Sequence, residues 1–234
     1  MTEERKKVRG IDNLAIFPLP LVLMPFELLP LHIFEPRYRE MLSDVQAEKS
    51  LFGISPLESS EVFSGKPKTG SIGCVAEIRD AQIMDDGRSN ILTIGVIRYR
   101  LRGYLETDKP YLIADVEFFE DDPPETGLEE TADEVFELFT QLAKTTYKIS
   151  GHAGELPEIP RAEPEQMSFL VGAAFNLDSA MKSKMVEIRS TVQRLNVLKG
   201  FLSEAVSKAK ETEQINRISR TNGHSTRKID IDGN

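Results

Sequence analysis

Cysteine is nearly absent from this chain. Cys74 stands alone among 234 residues, so no disulfide can form within the chain, which fits a reducing cytoplasm. Tryptophan is missing, and histidine occurs three times, as His32, His152 and His224. These share no metal-ligand spacing, so no metal is expected. No G-x-x-x-x-G-K-[ST] loop is present: Gly65-Lys66 runs into Pro67 and has no glycine five positions before it. That loop needs backbone N–H groups and a lysine together to neutralise phosphates. G-x-S-x-G and H-E-x-x-H are missing as well. The expectation is a protein that is not an enzyme and carries no cofactor. No stretch approaches the roughly 20 apolar residues that span a bilayer. The charged start, Met1 to Arg9, lacks the apolar centre of a secretion signal. The net charge of −9 disfavours non-specific binding to nucleic acid and to anionic membranes.

What the chain does have is a proline-punctuated apolar run. Pro20, Pro25 and Pro30 interrupt residues 19–39 every five positions. Proline fixes φ and donates no N–H, so no long helix crosses them. The pieces between them are too apolar for a solvated loop and predict short extended segments buried against a β core. Pro36 suits the first turn of a helix, and Tyr38, Met41, Leu42 and Val45 follow at helical spacing.

Residues 1–10 read as a mobile charged tail. From 11 to 120 the pattern is mainly β. Phe52-Gly53-Ile54 is a strand, and residues 55–71 form a loop rich in Ser, Gly and Pro. Ile72, Cys74, Ala76 and Ile78 alternate as a half-buried strand does. Asp86-Gly87 within 85–88 marks a hairpin turn, with 91–101 as the partner strand and 111–119 as a further one. Residues 115–137 then carry eleven acidic residues and no Lys or Arg. Asp121-Asp122-Pro123-Pro124 reads as the core of a linker spanning 121–130. Helices are predicted at 131–149, at 164–175, from Asp178 through Met185, and at 187–206, where Ile188, Val192, Leu195, Leu198 and Leu202 form a stripe. This helical region is taken as 131–208, and residues 209–234 read as a disordered tail.

Residues 17–25 and 29–41 closely resemble the opening of the Lon protease substrate-binding (N-terminal) domain family, whose pattern includes LPLHIFEPRYR. Here Leu29-Pro30-Leu31-His32-Ile33-Phe34-Glu35-Pro36-Arg37-Tyr38-Arg39 matches it. Met24 replaces the usual Phe, and Phe26 stands where Gly is common. Asp86-Gly87-Arg88, Gly95 and Arg98-Tyr99-Arg100 resemble the family's hairpin, and residues 168–202 resemble its helical part. The resemblance spans about 12–206. It implies an α+β fold: a PUA-like β pseudo-barrel with one helix, then a C-terminal α-helical bundle. It also implies a cytoplasmic, peptidase-related polypeptide-binding module without the family's ATPase and peptidase domains. Such a module would act in protein quality control. Its partners would be unfolded or partner polypeptides, including an ATP-dependent protease, and its oligomeric state stays open.

Each chemical candidate has a structural alternative. Cys74 lies in an alternating apolar strand and reads as a buried, inert thiol. His32 reads as a core or corner residue. Glu35, Pro36, Arg37 and Tyr38 read as a lock at the helix start. Asp86, Gly87 and Arg88 read as turn chemistry. Arg98, Arg100 and Arg102 share a strand face and, with Arg79 and Arg88, could line an RNA groove. Asp115 and Glu117 have the same spacing on the next strand, and ion pairing across the strands is the simpler reading. Arg194 lies one step off the helical stripe and is expected to matter little unless it pairs with an acid from the preceding helix. The peptide-binding candidates are Met24, Phe26, Leu28, Met84, Phe118 and Phe119, expected in an open groove between the two halves and along the corner 24–29.

Overall fold

The structure, a computed structural model, describes residues 2–57, 65–124, 126–151, 156–175 and 177–222, with 217–222 as backbone only. His152, His224, Glu125, residues 58–64 of the predicted loop and the tail beyond 222 lie outside the described residues.

Six strands, β1 (Asn13–Leu19), β2 (Leu28–Ile33), β3 (Leu51–Pro56), β4 (Ile72–Ile83), β5 (Ser89–Leu105) and β6 (Leu112–Phe119), form one mixed sheet. The order is β2-β5-β4-β3-β1-β6, and β5 also pairs with β6. That second pairing closes five strands into a ring and leaves β2 outside it. The length of β5 makes this possible. Its first part, residues 89–94, pairs with β2, and residues 98–105 pair with β6. The changeover falls at Gly95. Here the amide of Phe26 donates to the Gly95 carbonyl at 2.8 Å, and the Gly95 amide donates to the Glu27 carbonyl at 2.9 Å. A Cβ on Gly95 would collide with the Met24 carbonyl, so glycine is required where the corner crosses the strand. The Asp86-Gly87 turn behaves as its chemistry requires. Gly87 has φ +79°, and Asp86 accepts from the backbone and side chain of Arg88.

Helix α2 (Pro36–Ala47) plugs one side of the ring with Tyr38, Met41, Leu42 and Val45, and the Tyr38 ring lies 4.2 Å from that of Phe17. The helical lobe holds α3 (Leu128–Ile149), α4 (Pro164–Ala174), α5 (Ser179–Glu187) and α6 (Thr191–Asn222). Asp178 caps α5 by accepting from the Met181 amide. Ser190 caps α6 by accepting from the Gln193 amide. The predicted long helix therefore starts at Thr191 rather than at 187, after a break at Ile188–Ser190. Leu195, Leu198, Leu202 and Val206 of α6 are buried against α3 and α4.

Both predicted tails differ from expectation. Residues 3–7 form α1 (Glu3–Lys7), docked on the ring. Val8 is buried, Arg5 Nη1 donates to the Phe118 carbonyl at 2.9 Å, and Lys7 pairs with Glu77 at 2.6 Å. These contacts offset the ordering entropy that composition alone suggested would win. At the other end the helix continues to Asn222 although the apolar stripe stops near Val206. Strong helix formers and the Glu204–Lys208 pair, an i,i+4 contact, carry it on.

The third difference concerns β2. It is an edge strand whose alternate residues Leu28, Pro30 and His32 are exposed, so the segment expected to be buried against the β core is covered on one face only. His32 is correspondingly a surface residue, its Nδ1 2.7 Å from Asn90 Oδ1 on β5.

Candidate functional site

The six apolar candidates do not share one surface. Met24 is fully buried in the helical-lobe core. Phe26 and Phe119 are partly buried against the same core. The expected open groove between the halves is thus filled by the corner itself. Val22, Met24 and Phe26 insert side chains into the bundle, and Glu27, which accepts from the Met24 amide, pairs with Lys182 of α5 at 2.9 Å. Phe26 has φ +65°, the left-handed region that favours the glycine common at this place in the family. Its ring meets that of Phe169 at 6.5 Å, and this packing holds the corner in a conformation that costs about 1–3 kcal/mol. Phe118 points to the other side, beneath α1. It lines a cleft of about 520 Å³ with Arg5, Val8, Arg102 and Glu117. Met84 sits half-buried at the β4–β5 turn, where its backbone bonds to Arg88 and Gly87. Leu28 alone among the six is widely open, at 59 % exposure.

Leu28 has neighbours that the sequence did not single out. Register pairs Leu28 with Ile94 and Pro30 with Leu92 across β2 and β5, so these side chains share one face. Leu92 is 37 % exposed. Phe34, 58 % exposed, stacks on His32 at 6.0 Å and extends the face beyond the end of β2. The result is an open apolar face on an appended strand pair, in a chain whose net charge is −9.

The arginines resolve differently from one another. Arg102 pairs with Glu117, and Arg100 donates to the Gly70 carbonyl at 3.0 Å. Arg98 is 2 % exposed. Arg98 lies opposite Phe119 and Arg100 opposite Glu117, and a register shift between Leu101 and Gly103 then sets Gly103, not Arg102, opposite Asp115, so among the described residues the expected cross-strand pairing is seen at Arg102–Glu117. Arg98 instead reaches Asp121 at 2.5 Å. Arg194, wholly buried, grips the same carboxylate with both terminal nitrogens, at 3.0 and 2.5 Å. Thr191 also donates to it. Arg98 Nη1 donates to the carbonyls of Val186 and Ile188, at 3.0 and 2.8 Å. Both carbonyls lie at the end of α5, where the helix leaves acceptors without an intrahelical partner, and Ile188 also accepts from Arg194 Nη1 at 2.9 Å. Arg194 Nε donates to Ser168 Oγ at 2.8 Å. The Phe169 ring lies under both guanidinium groups, 3.9 Å from Arg194 and 5.2 Å from Arg98. Burial pulls the Arg98 pKa down and Asp121 opposes it. Burial, reinforced by the Asp121 charge, raises the carboxyl of nearby Glu165. The stretch read as a linker therefore supplies the acid that ties the two lobes together. Arg79 and Arg88 are paired with Glu77 and Asp86, at 2.9 and 2.6 Å, so of the five arginines named for an RNA groove Arg98 is buried and Arg79, Arg88 and Arg102 each pair with an acid.

Burial pushes the Cys74 thiol up to about 12, far from the range of a nucleophile. Glu35 accepts from Arg37 at 2.7 Å in an exposed pair, and its backbone carbonyl, not its carboxylate, caps α2. Arg39 lies against Gly87 and joins α2 to the hairpin turn. Among the described residues no cluster of His, Cys, Asp and Glu could hold a metal, and no helix is long and apolar enough to cross a membrane.

Comparison with known proteins places this architecture. The chain belongs to the family described as ATP-dependent protease La (LON) substrate-binding domain, which it matches over residues 13–204. It is similar to the Lon protease of Heliobacterium modesticaldum, 20 % identical over 92 % of this chain and 27 % of that protein. It is also similar to that of Parabacteroides distasonis, 29 % identical over 62 % of this chain and 17 % of that protein. The chain thus spans about a quarter or less of the length of these relatives. Two solved structures share the fold. The Lon N-terminal domain protein from Xanthomonas campestris aligns with TM-score 0.58 and 19 % identity over 80 % of this chain and 97 % of that one. The N-terminal domain of Mycobacterium avium complex Lon protease aligns with TM-score 0.61 and 17 % identity over 82 % and 98 %.

Proposed function

We propose that this protein is a non-catalytic polypeptide-recognition module that binds exposed apolar segments of unfolded or partner proteins. The observation that carries the reading is the open face formed by Leu28, Pro30, Leu92 and Phe34. Large apolar side chains left grouped on a water-facing surface mark an interaction site. The family supports a substrate-recognition role, and coupling to an ATP-dependent protease would turn weak, promiscuous contacts into processing. Each leucine that becomes buried contributes about 1.5–3 kcal/mol. The Leu28→Asp, Leu92→Asp double variant should therefore weaken binding of a reduced, carboxymethylated reporter protein about tenfold or more, read by fluorescence anisotropy. Unchanged affinity in a folded double variant would overturn the reading.

A further inference from the structure

We propose that β2 receives its client by strand addition: an extended segment with apolar side chains at alternate positions pairs antiparallel to the open edge of β2. The inference rests on the polypeptide-binding reading and specifies its geometry. Hydrogen-bond parity sets which groups are free. The Gly95 amide donates to the Glu27 carbonyl, and Thr93 Oγ1 donates to the Leu29 carbonyl at 2.9 Å. Residues 29, 31 and 33 therefore turn their backbone groups towards β5, in register with Thr93, Ile91 and Ser89. Residues 28, 30 and 32 turn theirs outward, because groups along an antiparallel strand alternate in direction. Leu28 and His32 thus offer both N–H and C=O to a visitor, and Pro30 offers its C=O. No strand covers this edge among the described residues.

Edges left in this state are normally protected by charge, by bulges or by cover. β2 has no charged residue in Leu-Leu-Pro-Leu-His-Ile. Its single protective device is Pro30, and that device acts selectively. Pairing with a second copy of β2 brings two prolines and two missing donors to a short ladder. It also brings together two chains of charge −9. A foreign segment meets one missing donor, and a basic one gains from the charge. Residues of the visitor that hydrogen-bond to 28, 30 and 32 place their side chains beside Leu28 and Pro30, on the face that Leu92 continues across β2, so main chain and apolar face act together.

The test uses a peptide of alternating Leu and Thr with lysines at both ends. Two further versions are N-methylated on the Leu amides or on the Thr amides. The Leu side chains take the apolar face, so their N–H groups point at β2. Methylating them should weaken binding about tenfold or more, while methylating the Thr amides should leave it within about twofold. His32→Pro, which removes an outward N–H that β5 does not use, should weaken the unmodified peptide several-fold at unchanged circular dichroism. Equal effects of the two methylation patterns would overturn strand addition, as would failure of all three peptides to bind. If the unfolded reporter protein still bound through Leu28 and Leu92 in either case, the recognition reading would stand without this geometry. Loss of reporter binding as well would remove both.

Discussion

The junction between the lobes and the β2 edge both invert the usual placement of residue types. At the junction, two guanidinium groups and a carboxylate are buried. At the edge, leucine and phenylalanine face water. The difference lies in what each group finds around it. Asp121 accepts from Arg98, Arg194 and Thr191, and the arginines spend their remaining donors on carbonyls and Ser168. A buried charge is tolerated only under such saturation. At the edge only half of the backbone is satisfied: residues 29, 31 and 33 face β5, and the outward groups of 28, 30 and 32 meet no strand among the described residues. The junction fixes one arrangement of the lobes, and the edge is left able to accept something else.

The largest expected effect falls on the junction. Asp121→Ala removes the shared acceptor and leaves two guanidinium groups buried, with half-buried Glu165 as the nearby acid. Breaking a buried pair in this way costs about 3–5 kcal/mol. Urea denaturation should show that loss. A cost below about 1 kcal/mol would mean that the lobes hold together without the charges.

Leu195→Ala comes next. This side chain is fully buried in α6, and truncating it should cost about 2–5 kcal/mol through the cavity it leaves. A neutral result would place the stripe of α6 on an exposed surface and contradict the packing against α3.

The sequence makes these two sites unequally legible. The α6 stripe follows from helical periodicity, and Leu195, Leu198 and Leu202 are buried as that pattern requires. The α2 face and the Asp-Gly turn follow from equally local rules. Asp121 does not. Its neighbours in an acidic, proline-containing stretch suggest solvent, and its partners lie 23 and 73 residues away. Arg98 looks identical to Arg100 and Arg102 until the helical lobe covers one of the three. The open state of β2 is likewise a property of topology. Local sequence gives an apolar extended segment, and only the sheet order shows that among the described residues it has one neighbour rather than two. Leu28 was visible as an apolar residue in a corner. Leu92 and Phe34 become its companions through register and stacking, which local pattern does not reveal.

Arg102 offers a control on the same strand as Arg98. It pairs with Glu117 at the surface, both side chains about half exposed. Exposed pairs contribute about 0–1 kcal/mol, so Arg102→Ala should shift the urea midpoint little, and less again in high salt. A cost near that of Asp121→Ala would show that burial is not what separates the two arginines.

The smallest effect on stability belongs to the β2 edge. Leu28→Asp and Leu92→Asp replace side chains that already face water, and surface changes of this kind usually stay within about 0.5 kcal/mol. Solubility should rise, because an apolar patch is interrupted by charge. The contrast with the junction then becomes quantitative: one site carries stability and no exposed surface, and the other carries binding with almost no stability. A large fall in the thermal midpoint of the double variant would show that the face is packed in solution, against the chain itself or a second copy. Sedimentation at several concentrations separates those two cases, since only self-association depends on concentration. An unchanged midpoint with lost reporter binding is the outcome that assigns the exposed leucines to recognition.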